Sequence, residues 1–167
     1  MSDAYRDELI SLIPRLRRYA RALTRDRERA DDLVQDTIER ALARQDRWQE
    51  GTSLESWLFR ILRNRWIDLW RSTEARGETV EFESLAPLAG SDGRADMEAA
   101  GTRAAIRSAI ESLGDAYRET VALVLIEGLD YREAAEVMGV SEGTVASRLS
   151  RARSALMQRL EPLLERN

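Results

Sequence analysis

From the first residue to about Ser72, apolar positions recur at three- and four-residue spacing, with no run in the two-residue rhythm of a strand. Leu9, Leu12, Ile13, Leu16, Ala20 and Leu23 form the first stripe. Pro14 falls inside it and predicts a break: a short helix, then a second one with the proline in its first turn. In ADDLVQDTIERAL, the residues Ala30, Leu33, Val34, Thr37, Ile38, Ala41 and Leu42 share one helical face; Asp31, Asp32, Gln35, Asp36, Glu39 and Arg40 share the other. A third helix is predicted over 54–71. Its core stripe is Leu54, Leu58, Ile61, Leu62 and Leu69, and Phe59, Trp66 and Trp70 make a second, aromatic stripe. Trp57, Arg60, Asn64 and Arg71 make a third face, with Arg63 on its flank.

The pattern then loosens. Residues 73–100 carry seven acids against Arg76 and Arg94, with Gly, Ser and Pro and little to bury, which predicts a flexible acidic linker. From Gly101 the helical rhythm resumes. The strongest local signal is YREAAEVMGVSEGTVASRLSRARSAL, from Tyr131 to Leu156. Small Ala134 and Ala135 let a second helix cross closely over the first. Gly139 ends the first helix where a left-handed conformation suits only glycine. Ser141 caps the second helix, with Glu142 on its positive end. Val145, Leu149, Ala152 and Leu156 face inward; Thr144, Ala146, Ser147, Arg148, Ser150, Arg151 and Arg153 face out. This is a helix-turn-helix, whose second helix enters a major groove. An ordinary helical hairpin would need neither the cap, the glycine nor the basic outer face together. The fold class that follows is all-α: two small helical domains, 1–72 and 101–167, joined by the linker 73–100, the C-terminal one a helix-turn-helix.

Composition narrows the chemistry. The 167 residues are 43% apolar and 34% charged, with no Cys and no His. That removes disulfides, thiol nucleophiles, imidazole bases and the usual zinc ligands. No nucleophile–base pair can be assembled, so no catalytic residue, metal ligand or cofactor is expected. The acidic face Asp31 to Glu39 reads as a protein interface in preference to a metal cluster, since no His or ligand loop accompanies it. No apolar run approaches the roughly 20 residues of a membrane span. The acidic start, MSDAYRDELI, is unlike a secretory signal, so no membrane insertion and a cytoplasmic location are expected.

All 26 basic residues are Arg, which a GC-rich genome would produce. Arg nonetheless forks phosphate and guanine as Lys cannot. With a net charge of −4, any DNA contact must come from local clusters of arginine. Two such clusters exist: five Arg between Trp57 and Arg76, beside aromatics and Asn64, and four between Gly143 and Arg159 with no acid among them. Guanidinium on phosphate with a ring or amide on the base is how single strands are held, although a solvated helix face could look similar.

These segments resemble a known family. LGDAYRETVALVLIEGLDYREAAEVMGVSEGTVASRLSRARSAL is similar to the promoter-reading C-terminal domain of extracytoplasmic-function (ECF) sigma factors of the sigma-70 family, most specifically in GTVASRLSRAR. ADDLVQDTIERAL resembles that family's polymerase-docking helix, and GTSLESWLFRILRNRWIDLWR its −10-reading helix and preceding loop. IPRLRRYARALTRDRERADDLVQDTIERAL is similar to the alphaproteobacterial general-stress subgroup.

The resemblance implies that Asp32, Gln35, Asp36 and Glu39 dock on RNA polymerase core. It implies that the loop 48–56 pockets a flipped-out base, and that Trp57, Arg60, Arg63, Asn64 and Arg71 contact −10 DNA. Thr144, Ala146, Ser147, Arg148, Ser150 and Arg151 would face the −35 groove, with Ala146 where the family commonly has a basic residue. The acidic linker would thread the channel later taken by RNA. Leu113-Gly114 stands where Leu-Pro is usual. Promoter DNA, polymerase core and an anti-sigma protein wedged between the domains are the partners implied. A conventional operator-binding regulator would show a ligand or phosphoacceptor domain in the N-terminal half. A sigma-mimicking module would have lost its basic faces, and this chain keeps them.

Overall fold

The first stripe builds one helix, not two. In the computed structural model, which describes residues 3–49, 51–77 and 94–165, helix α1 (Asp3–Thr24) runs straight through Pro14. A proline there leaves the carbonyl of residue 10 without its helical donor. Ile10 and Pro14 are both exposed, so water can take that carbonyl and the stripe Leu9, Leu12, Leu16, Tyr19, Ala20 and Leu23 stays buried on the other side.

A two-residue turn leads into α2 (Arg27–Ala43). Arg25 takes a left-handed conformation there, with φ 57°, rare for a side chain with a Cβ. Asp26 caps α2 by accepting from the backbone N–H of Arg29 at 2.8 Å. Ala30, Leu33, Val34, Thr37 and Ala41 are buried as the pattern predicts, whereas Leu42 is 42% exposed because the helix ends beside it. A 3₁₀ turn (Gln45–Arg47) and a short loop follow. Ser53 then caps α3 (Leu54–Ala75) by accepting from the N–H of Ser56.

The C-terminal half comprises α4 (Arg94–Glu111), α5 (Asp115–Val121) continuing into a π-helical turn (Ala122–Ile126), α6 (Tyr131–Met138) and α7 (Glu142–Leu164). Among the described residues there is no strand, and the chain is all-α. Most of the expected linker, 78–93, lies outside the described residues. Helix takes both its margins: α3 continues to Ala75 and α4 starts at Arg94, ahead of the expected resumption at Gly101. At the start of α5, Gly114 holds φ −60° and ψ 152°, the backbone a proline would impose, so glycine here departs from the family's Leu-Pro without changing the turn.

The apolar core does not divide where the sequence does. Leu16, Tyr19, Leu33, Leu58, Phe59 and Leu62 belong to one buried cluster with Leu123, Leu129, Ala134, Val137, Met138 and Val145 of the C-terminal half. Helix α6 packs against α3, and α1 against α5 and the π turn. A smaller cluster, Leu113, Val121, Leu149 and Ala152, sits beneath α7 alone.

Candidate nucleic-acid and polymerase interfaces

The helix-turn-helix is assembled from local signals. Asp130 and Glu133 form a reciprocal capping box at the start of α6: the Asp130 carboxylate accepts from the Glu133 N–H at 2.8 Å, and the Glu133 carboxylate accepts from the Asp130 N–H at 3.0 Å. Gly139 ends α6 at φ 65°, ψ 37°. Ser141 caps α7 through the Thr144 N–H at 3.1 Å. Val145, Leu149 and Ala152 fasten α7 to the cluster below. Ser147, Ser150, Arg151 and Arg153 are left exposed, with Thr144, Ala146 and Arg148 half-buried along the edge. The Thr144 hydroxyl lies 2.9 Å from that of Ser141, so it serves the cap as well as the outer face. A groove between the start of α5 and α7 is lined by Tyr117, Thr144, Ser147, Arg148 and Arg151.

On α3 the expected −10 residues separate. Arg60, Asn64 and Arg71 are exposed, and Trp57 packs half-buried against the main core. Asn64 and Arg71 share a groove with Arg65 and with Arg40 and Arg44 of the α2 end. Arg44 was not predicted from the sequence: it lies beyond the α2 stripe, and only the return of α3 brings it beside Asn64. Arg63 is turned away, its Nε donating to the Glu119 carboxylate of α5 at 2.6 Å.

The aromatic stripe also divides. Phe59 is core, edge-on to Tyr19 at 5.1 Å, because α1 covers the first turns of α3. Trp66 and Trp70, 6.0 Å apart and tilted, are half-buried and open onto a groove between α2 and α3. That groove, about 630 Å³, is also lined by Asp32, Gln35, Asp36 and Glu39. Two tryptophans therefore join the acids expected to dock on polymerase, and Asn64 belongs to a separate groove.

Within the acidic set, Asp32, Gln35 and Glu39 are exposed and Asp36 is half-buried. The Gln35 amide donates to Glu39 at 3.1 Å. Asp36 accepts from Arg40 at 3.0 Å and is paired with Arg65 of α3. Burial pushes the Asp36 carboxyl up, but the hydrogen bonds from Arg40 and Arg65 outweigh it and hold the pKa below the ordinary aspartate value. The expected loop 48–56 is shorter in the structure, since Leu54, Glu55 and Ser56 form the first turn of α3 behind the Ser53 cap; Glu50 is outside the described residues, and Trp48 folds inward onto Tyr5 at 5.5 Å. Its Nε1 and the Ser56 Oγ are buried without a protein hydrogen-bond partner.

A capped helix-turn-helix with a basic outer face and an arginine-rich groove beside Asn64, next to an acidic, tryptophan-lined groove, is an arrangement suited to DNA binding. Comparison sharpens the class. Residues 9–63 match the Sigma2 domain of PhyR, and residues 103–156 match Sigma-70, region 4. The ECF RNA polymerase sigma factor EcfG of Rhodopseudomonas palustris is 38% identical over 93% of this chain and 84% of its own. SigM of Mycobacterium tuberculosis, also an ECF RNA polymerase sigma factor, is 33% identical over 87% of this chain and 71% of its own. The chain belongs to the ECF RNA polymerase sigma factors.

Among solved structures, the sigma factor RpoE of Bartonella quintana, crystallised with the anti-sigma factor NepR, superposes with a TM-score of 0.78 at 31% identity. That match covers 96% of this chain and 98% of the other. CnrH, solved with the cytosolic domain of CnrY, gives 0.66 at 28% identity, covering 95% and 88%. The family is one of transcription initiation factors, not enzymes. Among the described residues no helix is long and apolar enough to cross a membrane.

Proposed function

We propose that this chain directs RNA polymerase core to promoters by dividing the work among three surfaces. The acidic groove of α2, with Asp32, Gln35 and Glu39 at its rim and Trp66 and Trp70 on its wall, docks on core. The arginine groove of α3, with Asn64 and Arg71, holds the −10 strand once it is opened. The outer face of α7, with Ser147, Ser150 and Arg151, reads the −35 duplex. The observation that carries this reading is the placement of the exposed polar groups: Asn64 and Arg71 share one groove with Arg40 and Arg44, Ser147 and Arg151 share a second, and Asp32, Gln35 and Glu39 line a third, with Arg65, paired to Asp36, between the first and the third. The orphaned Trp48 Nε1 in the loop and Ser56 Oγ in the first turn of α3 support a base-holding role for the stretch 48–56, because buried polar atoms without partners are rare. Domain limits near 72 and 101 and a cytoplasmic location follow from the same reading. An anti-sigma partner is supported by the solved relative RpoE, whose complex contains the anti-sigma factor NepR.

The direct test is to add the chain to RNA polymerase core and assay for transcription from specific start points. Asp32→Arg should weaken core binding by about tenfold, roughly 1.4 kcal/mol, in a fluorescence titration, with the helix content unchanged. Asp32 is the better choice than Asp36, whose reversal would also expel Arg40 and Arg65. Unchanged core affinity would remove α2 from the docking surface.

A further inference from the structure

We propose that the cleft between α1, α4 and the π-helical turn binds a small amphipathic anion, an alkyl carboxylate. Its head would sit on Arg21 and Arg107 and its chain on Ile106, Ile110 and Ile126. The cleft encloses about 480 Å³, within the roughly 300–1,000 Å³ of small-molecule sites. Six arginines line it against two glutamates. Most of these charges are already committed. Glu127 accepts from Arg18 Nε and Nη2 at 2.8 and 2.9 Å. Arg118 donates to the Ala22 and Leu113 carbonyls at 2.7 and 2.9 Å, and Arg25 to the Glu111 carbonyl at 2.9 Å. Arg21 is different. Its Nε is buried with no hydrogen-bond partner, and neither its side chain nor that of exposed Arg107 is paired among the described residues. A guanidinium N–H taken from water and given no acceptor costs free energy. Its place on the wall of a cleft points to an acceptor that arrives from outside.

The rest of the wall defines the remainder of the ligand. Ile106, Ile110, Ile126, Ala22 and Ala122 are aliphatic, and no aromatic ring is among the described residues that line the cleft. A nucleobase would find no ring to stack on, whereas an alkyl chain would find apolar cover. Ile106 and Ile126 are 41% and 46% exposed, so a chain in the cleft would take both further out of water. The π turn places Ile126. The Glu127 N–H bonds to the Ala122 carbonyl at 2.9 Å, five residues back. Single π turns are rare and recur at functional sites; here the extra residue re-aims Ile126 and Glu127, which both line the cleft. A carboxylate is the head that suits a guanidinium, because it accepts two parallel hydrogen bonds from the arginine fork.

None of these residues is among those proposed to touch polymerase or DNA, so loss of one function leaves the other measurable. Titration of the full chain with dodecanoate, kept below its micelle-forming concentration, should show one saturable site by calorimetry. Decanoate, two methylenes shorter, should bind about 15-fold more weakly, at about fourfold per buried methylene. Dodecyltrimethylammonium, with the same chain and a cationic head, should not compete for the site. Inorganic phosphate alone should bind far more weakly than dodecanoate. Arg21→Gln combined with Arg107→Gln should weaken dodecanoate binding by about tenfold or more. Ile106→Asp, at an exposed position outside the core, should also weaken it, by adding a like charge beside the chain.

Arg21→Met separates a ligand-holding arginine from a structural one. Without ligand this variant should melt no lower than the wild type, since it removes a buried donor that lacks a partner. With dodecanoate it should lose most of the rise in melting temperature that the wild type gains by mass action. A clearly lower melting temperature without ligand would make Arg21 structural and overturn the site. So would binding that does not saturate, or phosphate binding as tight as that of dodecanoate. Equal affinity for the cationic amphiphile, or dodecanoate affinity that ignores both the arginine pair and Ile106→Asp, would overturn it as well.

Discussion

The two helices proposed to face DNA differ in how far they stand ready. Helix α7 presents Ser147, Ser150 and Arg151 to solvent; Leu149 and Ala152 seat it in a small apolar cluster of the C-terminal half, and Val145 ties its first turn to the main core. Helix α3 is committed on two sides. Arg65 pairs with Asp36 inside the N-terminal half and Arg63 bonds to Glu119 of the C-terminal half, leaving Arg60, Asn64 and Arg71 as its open positions. On the proposed roles, the difference would suit a duplex read first and a strand opened later. A duplex groove can be read at first encounter, so its reader gains by being preformed. Bases of a separated strand become available only later, and a face that binds them gains from being restrained until then.

The largest effect that would break this comparison comes from one side chain on each helix. Arg151→Ala should weaken binding to a −35 duplex by about 1–3 kcal/mol, roughly 5- to 150-fold. Asn64→Ala should leave that duplex binding unchanged and instead slow strand opening, followed by a fluorescent base in the −10 element. A pre-melted promoter should restore part of the Asn64→Ala defect and none of the Arg151→Ala defect. Equal loss on the −35 duplex, or equal rescue by pre-melting, would mean that the two faces do not divide the work.

The same contrast separates what could be read in the chain from what could not. The helix-turn-helix was legible because its determinants are neighbours: small Ala134 and Ala135, Gly139 at the αL position, Ser141 at the cap, and Leu149 beneath. Even there the Asp130–Glu133 capping box passed unnoticed, although its acids stand three residues apart at the head of α6. Pro14 was misjudged because spacing alone does not say which carbonyl water can reach. Phe59 shares a stripe with Trp66 and Trp70; what separates them is the packing of Tyr19 against Phe59, which no spacing reveals. The commitment of Arg63 to Glu119 spans 56 positions and leaves no periodic trace. Nothing in a helical wheel predicts it.

A smaller effect tests how self-sufficient the α7 side is. Asp130→Ala removes one half of the capping box and should destabilise the C-terminal half by about 1 kcal/mol. If the helix-turn-helix depends on its own caps and cluster, local hydrogen exchange should quicken in α6 and in the first turns of α7. Exchange in the first turns of α3, around Leu58 and Phe59, should change less. Uniform acceleration throughout would show that the two halves unfold as one unit.

The smallest effect concerns the tie that holds α3 from within. Burial raises the Asp36 carboxyl, but its hydrogen bonds from Arg40 and Arg65 prevail and leave the folded pKa below the ordinary value. A group whose pKa is depressed on folding contributes stability above its unfolded value, near pH 4, and loses that contribution as pH falls through the folded value. Asp36 is partly exposed, so water screens the pair and the contribution is small. Asp36→Asn should therefore melt slightly below the wild type at neutral pH, and the gap should close on acidification below about pH 4. A gap that stays constant or widens toward acid would mean that the pairing with Arg65 does not fasten α3. At neutral pH the same variant should bind a −35 duplex as the wild type does, because Asp36 touches α3 and not α7. Loss of duplex binding would couple the two faces through the N-terminal half, and the readiness of α7 could no longer be treated as its own.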